Sequence, residues 1–157
     1  MSRAPSAELL IKIRELAALY PSKQAALLPA LHLIRNQRGS IAPEDERAVA
    51  EVLGIKPIKV REVVTFYTMF NRRPVGTYHV QVCSNLSCSL AGGDRIVDYL
   101  KAKLGVRLGE TTSDGRFTLT EVECLGACEA APCMMVNFDY HLNLDRETVD
   151  RILGRLP

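Results

Sequence analysis

The apolar residues of this chain change their spacing at Pro74, and that change limits the fold more than any other feature of the sequence. Before it, Leu9, Ile13, Leu16 and Tyr20 recur every three or four positions, which places them on one face of a helix. "YPS" breaks the run at Pro21, and Ser22 stands where a second helix needs an N-cap. Ala26, Leu27, Ala30, Leu31 and Ile34 form the apolar side of that helix, Pro29 should kink it or mark its effective start, and Gly39 should stop it. Pro43 opens a third helix, "PEDERAVAEVL", which Gly54 closes. Pro57 opens a fourth, expected to run through "PIKVREVVTFYTMF".

After Pro74 the period drops to two. In "TYHVQVC", Tyr78, Val80 and Val82 alternate with His79 and Gln81, the pattern of a half-buried strand. A helix follows with Ile96, Val97, Leu100 and Leu104 inward. "SDGRFTLTEVE" reads as a turn and a second strand, and "CMMVN" and "YHLNL" as two more. Asp145 caps a last helix carrying Val149, Ile152, Leu153 and Leu156. The expected fold class is therefore α/β (α+β), with a four-helix segment at 1–73 ahead of a sheet-containing domain at 74–157. The sequence has no internal repeats and no low-complexity stretch.

Charge divides along the same boundary. Residues 1–73 carry 12 Lys/Arg against 7 Asp/Glu, a balance of +5, and residues 74–157 carry 8 against 11, a balance of −3. With 47% hydrophobic and 24% charged residues the composition is that of a soluble globular protein. The longest mostly apolar run, "AALLPALHLI", is about half of what a bilayer span requires, so no direct membrane insertion is expected. The N-terminus lacks a charged start followed by an apolar stretch and a cleavage site, so a reducing compartment is expected. Structural disulfides are rare there, and five cysteines cannot all pair with one another. Metal or redox chemistry remains.

The cysteines are arranged as Cys83-x4-Cys88, 35 intervening residues, and Cys124-x3-Cys128. Each pair lies where a predicted strand gives way to a loop, and loops from neighbouring strand ends can converge on one tetrathiolate site. Ser84, Ser87, Ser89, Gly126 and Ala127 flank the thiols. Small residues let backbone N–H groups approach an anionic cluster closely, and Leu86 and Leu125 are expected to cover it. Zinc accepts four cysteines at overlapping spacings, and unliganded structural cysteines are a third reading. A thioredoxin-type dithiol is disfavoured because no C-x-x-C occurs, and a Rieske centre because His32, His79 and His141 lie away from both pairs.

"FYTMF", "PVGTYHVQVCSNLSCSLAGG", "LGETTSDGRFTLTEVECLGACEAAP" and "MMVN" together resemble the thioredoxin-like [2Fe–2S] subunit of respiratory complex I, NADH:quinone oxidoreductase. The resemblance implies a thioredoxin-like ferredoxin domain behind the helical segment, holding one [2Fe–2S] cluster. Match to the family pattern implies Cys83, Cys88, Cys124 and Cys128 as the ligands. Cys133 stands where that pattern has an ordinary apolar residue, so it is expected to be a small buried hydrophobe.

The resemblance further implies an electron-transfer component of an oxidoreductase with no catalytic residue of its own. Its partner would be a larger flavoprotein subunit holding FMN and oxidising NADH, and the chain would lie at the cytoplasmic, inner face of the membrane through the complex. No G-x-G-x-x-G after a strand and no Walker A motif occurs in the chain, in keeping with that division of labour. The two glycines of "LAGGD" are expected to serve packing or a loop. Equivalent subunits serve NAD-linked formate dehydrogenases and NAD-reducing hydrogenases. From a different class, "RAVAEVLGIKPIKVREVV" with Lys56, Lys59 and Arg61 resembles a helix-turn-helix, as in a redox-sensing DNA-binding protein. The apolar continuation "VVTFYTMF" argues for packing against protein instead, and no nucleic-acid partner is expected.

Overall fold

A computed structural model describes residues 4–157, which divide into two compact units at Pro74/Val75. In the first, α1 spans Ala7–Ala18, α2 Leu27–Arg38, α3 Pro43–Leu53 and α4 Pro57–Phe66. Ser6 caps α1 by accepting the Leu9 N–H at 3.2 Å. Ser22 caps a short 3-10 turn, Lys23–Ala26, that leads into α2. Pro29 falls in the first turn of α2, where its missing N–H costs nothing, so it marks the start of the helix. Gly39 and Gly54 end α2 and α3 with left-handed backbone, φ +74° and +61°. Ile13, Leu31, Ile34, Ile41, Val49, Leu53 and Val60 are fully buried together and form the core of this unit.

The fourth helix is shorter than its apolar pattern suggested. Tyr67 leaves helical geometry at φ −89°, ψ 110°, and Phe70 turns back into the core, where its ring meets His32 at 5.2 Å. Thr65 bonds back to the Arg61 carbonyl at 2.8 Å, and the flanking β-branched and aromatic residues are weak helix formers. Burial of Phe70 therefore prevails over continuation of the helix. Val64 and Phe70 are buried, but Phe66 is 78% exposed and Met69 41%. Only part of "VVTFYTMF" packs within its own unit.

In the second unit, β1 (Tyr78–Cys83), β2 (Phe117–Val122), β3 (Met134–Val136) and β4 (Asp139–His141) form one sheet in the order β2-β1-β3-β4. β1 and β2 run parallel, joined through α6 (Gly93–Leu104), whereas β3 runs antiparallel to β1 and β4 antiparallel to β3. The sheet packs Val80, Val82, Leu119, Met134 and Val136 against Ile96, Val97 and Leu100 of α6 and Val149 and Leu153 of α7 (Arg146–Arg155). Asp145 caps α7 by accepting the Thr148 N–H at 2.7 Å. β4 ends at His141, short of the expected "YHLNL", because Asn143 adopts φ +49° and turns the chain so that Leu144 enters the core. A short helix that the sequence pattern did not reveal, α5, spans Leu86–Leu90.

Candidate metal centre

The first cysteine pair is positioned by the rigid centre of the sheet. Cys83 is the last residue of β1, in register with Val122 of β2, and its N–H donates to the Cys133 carbonyl at 3.1 Å. Ser84 N–H then donates to the Val122 carbonyl at 3.0 Å, so the chain leaves the sheet in a defined direction. Cys88 follows within α5, so it sits on a helical turn and not on an open loop. Both thiols are buried.

Gly93 makes this placement possible. A Cβ there would lie 2.8 Å from the Cys88 carbonyl oxygen and 3.1 Å from that of Cys83, too close for any side chain. The packing role expected for "LAGGD" is thus that of a contact surface: α6 starts directly against the backbone of both cysteines.

The second pair lies on the segment after β2. Cys124 accepts the Gly126 N–H at 3.3 Å, and Cys128 opens a short 3-10 turn, Cys128–Ala130. Both are exposed. This segment nevertheless folds against the first pair: the Cys83 thiol donates to the Glu123 carbonyl at 3.4 Å, and Leu125 packs beside Cys83, Cys88, Ala127 and Cys133. Tyr140 O–H of β4 donates to the Leu125 carbonyl at 2.9 Å and ties the segment to the sheet. Leu125 is placed to shield the site as expected. Leu86 is not: it is 71% exposed, because the first turn of α5 carries it outward while Cys88 turns inward.

Three thiols come together, and one of them is unexpected. The sulfurs of Cys83, Cys88 and Cys133 lie within 4.8 Å of one another, all buried, with Cys88 and Cys133 Sγ 3.8 Å apart. Cys133 is the buried residue its position suggested, but its neighbours include two thiols beside the apolar Leu125, Ala127 and Ala131. No sequence signal distinguished it from a core residue, since only the antiparallel pairing of β3 with β1 sets it beside Cys83. Tyr140 likewise gains its role from its contact with Leu125 on another segment.

The electrostatics differ within this group. Burial pushes the Cys83 thiol up, but N–H groups of Asn85 and Leu125 and the neighbouring thiols outweigh it and hold Cys83 below the ordinary thiol value. Cys88 is raised, first by burial and then by the Cys83 sulfur beside it. Cys133 is pushed up to about 12, chiefly by burial and then by Cys88. N–H groups aimed at sulfur are what an anionic thiolate centre requires, and soft sulfur donors suit iron. On both counts the residues fit an iron–sulfur cluster.

A family model described as thioredoxin-like [2Fe-2S] ferredoxin matches residues 13–157. The chain is 45% identical over 142 residues to an NADH-quinone oxidoreductase subunit of Rhizobium meliloti (strain 1021), covering 90% of this chain and 84% of that one. It is 44% identical over 145 residues to an NADH-quinone oxidoreductase subunit of Rickettsia conorii, covering 90% and 87%. To the corresponding protein of Mycobacterium bovis it is 43% identical over 155 residues, covering 96% of this chain but 62% of that longer protein. Among solved structures, an air-oxidized NAD+-reducing [NiFe]-hydrogenase superposes with a TM-score of 0.69 at 21% identity, over 83% of this chain and 23% of the hydrogenase chain. At that identity the likeness concerns the fold alone.

Proposed function

This chain belongs to the thioredoxin-like [2Fe–2S] ferredoxin family, and we propose that it is the electron-transfer subunit of an NADH:quinone oxidoreductase. It carries one [2Fe–2S] cluster held by Cys83, Cys88, Cys124 and Cys128. The carrying observation is the convergence of two segments distant in sequence: the buried Cys83–Cys88 pair at the end of β1, and the Cys124–Cys128 segment folded over it through Glu123 and Leu125. When bound, the cluster supplies one-electron storage between a two-electron donor and a one-electron chain.

The protein's own contribution is to hold and bias that charge. N–H groups of Asn85 and Leu125 face the Cys83 sulfur, that of Cys133 faces Cys88, and that of Gly126 donates to Cys124. Donors to sulfur favour the more negative, reduced state, while Glu123 and Glu129 along the second segment, with Glu121 of β2, oppose it. Burial of Cys83 and Cys88 keeps water from one side of the site. The exposed Cys124 and Cys128 leave the other side open to an electron partner.

The donor is a flavoprotein subunit with FMN that oxidises NADH, and the exposed Phe66 and Met69 offer apolar surface for docking within such a complex. No helix among the described residues is long and apolar enough to cross a membrane. A position on the inner membrane face would therefore come through that complex. The respiratory reading outranks a hydrogenase or formate dehydrogenase one because the 43–45% identical relatives are quinone oxidoreductase subunits. The DNA-binding alternative loses support in the first unit. Arg61 pairs there with the buried Glu46 of α3.

Purification of the untagged complex from its host, with mass spectrometry of the partners and EPR of the dithionite-reduced sample, tests the reading. Co-purification of a flavoprotein subunit with the quinone-reducing partners, and a [2Fe–2S] signal, is expected. Partners belonging to a hydrogenase or formate dehydrogenase would move the chain to that host. NADH oxidation by the pure chain would overturn the assignment of hydride chemistry to a partner.

A further inference from the structure

Cys133 is the one thiol in the buried sulfur group that the ligand set leaves unused. It is 1% exposed, and its sulfur lies 3.8 Å from Cys88 Sγ, within reach of an S–H···S hydrogen bond. Its backbone is not free to move away. The Cys133 carbonyl accepts the Cys83 N–H at 3.1 Å, Leu144 N–H donates to the neighbouring Pro132 carbonyl at 3.0 Å, and Met134 is paired with Val82 of β1. The thiol is therefore delivered to Cys88 by the sheet itself, at the end of a strand whose register a one-residue slip would invert.

We propose that Cys133 is a positioning residue for the electron-transfer centre: its thiol donates a hydrogen bond to the ligand sulfur of Cys88 and raises the reduction potential. The inference rests on the ligand set Cys83, Cys88, Cys124 and Cys128. In that set Cys88 binds as thiolate, so the one proton shared between the two sulfurs resides on Cys133. A donor to an ionised sulfur is charge-assisted, and it strengthens when the centre gains an electron and its sulfurs become more negative. Hydrogen bonds to cluster sulfurs are among the determinants of potential in iron–sulfur proteins. In a dry site no water competes for the acceptor. An apolar residue of similar volume would fill the same space without that effect.

The test uses the full-length, cluster-loaded chain with Cys133→Val, Cys133→Ala and Cys133→Ser. Iron and acid-labile sulfide are measured per chain, the potential by EPR-monitored redox titration, and the Fe–S stretching bands by resonance Raman in H2O and D2O. All three variants should retain two irons and two sulfides. The potential should fall in Cys133→Val and Cys133→Ala alike and recover toward wild type in Cys133→Ser, whose hydroxyl still donates. Deuteration should shift a terminal Fe–S band more in wild type and Cys133→Ser than in Cys133→Val, where only the backbone N–H donors to sulfur remain. A loaded Cys133→Val with the wild-type potential and the same deuterium response would overturn the inference and leave the ligand set standing. Loss of the cluster in Cys133→Ala, with full loading in Cys124→Ala or Cys128→Ala, would make Cys133 a ligand and overturn both.

Discussion

Cys83 closes a strand that is hydrogen-bonded on both edges, and Cys88 is buried within the short helix that follows. Cys124 and Cys128 instead ride on a solvent-facing segment fastened by Leu125, Tyr140 and the Glu123 carbonyl. Both pairs are proposed to bind the same cluster, yet they reach it differently. One is ordered by folding of the sheet, and its loss of conformational freedom is already offset by the core. The other would gain further order from the cluster, because metal binding and folding of a ligand segment are linked. A rigid half and an adaptable half suit a centre that must be assembled from outside and then exchange electrons through its exposed side.

The largest effect expected is loss of the cluster on replacing any one of Cys83, Cys88, Cys124 or Cys128 by Ala, measured as iron and sulfide per chain. The same four variants also sharpen the contrast in the metal-free protein. Urea unfolding should show Cys83→Ala and Cys88→Ala destabilised by about 1 kcal/mol, through lost packing. Cys124→Ala and Cys128→Ala should lie within about 0.5 kcal/mol of the parent, as exposed substitutions do. Full loading of Cys124→Ala, or equal destabilisation of both pairs, would break the comparison.

Gly93→Ala should damage only the rigid half. The added methyl meets backbone carbonyls that cannot swing aside as a side chain would, so a loss of about 1–3 kcal/mol is expected in thermal or urea unfolding. Cluster loading should fall with it. An unchanged melting curve would show that α6 shifts freely and that the first pair is less rigidly held than its burial suggests.

His79 offers a smaller, pH-dependent probe of the same strand. Burial holds its pKa below the ordinary value, and its Nε2 is hydrogen-bonded to Thr120 Oγ1 at 2.8 Å. The folded state therefore favours neutral His79, and the unfolded state protonates first as pH falls. The stability it contributes is fully present above the unfolded histidine pKa, about 6.5, and is lost as pH falls from there through the folded value. The slope is at most about 1.4 kcal/mol per pH unit for one proton. Urea midpoints between pH 7.5 and 5 should fall in the parent and flatten in His79→Gln. A parent curve flat over that range would remove His79 as the sensor.

The smallest effect belongs to the exposed half. Glu129 follows Cys128, and removing its charge should raise the reduction potential by no more than about 40 mV, because water screens an exposed carboxylate. The measurement is an EPR redox titration of Glu129→Gln at moderate salt. A downward shift would mean that Glu129 organises hydrogen bonds at Cys128, and the exposed half would then be less adaptable than described.

Much of this molecule was legible in its sequence because the determinants are local. Pro43 and Pro57 start helices, Gly39 and Gly54 stop them, and the alternation of Tyr78, Val80 and Val82 places β1. The two cysteine pairs announce a sulfur-rich metal site wherever the strands lead. Even the outward-facing Phe66 was visible as part of an apolar run, although not its exposure: it is the last residue of α4, on the side away from the buried Val60 and Val64.

What the sequence by itself determined was most of the elements, though not α5, together with the family and the thiols available to a cluster. The arrangement of those thiols was decided only by the tertiary structure. An alternating strand pattern is the same for parallel and antiparallel partners, so nothing in "CMMVN" states that β3 runs against β1. That direction sets Cys133 at the open end of β1, beside Cys83 and Cys88, while the segment after the parallel β2 leaves Cys124 and Cys128 in solvent. Strand direction is settled by hydrogen bonding between segments about fifty residues apart and by burial of Val80, Val82, Met134 and Val136 on a common face. Such long-range terms have no local signature to read.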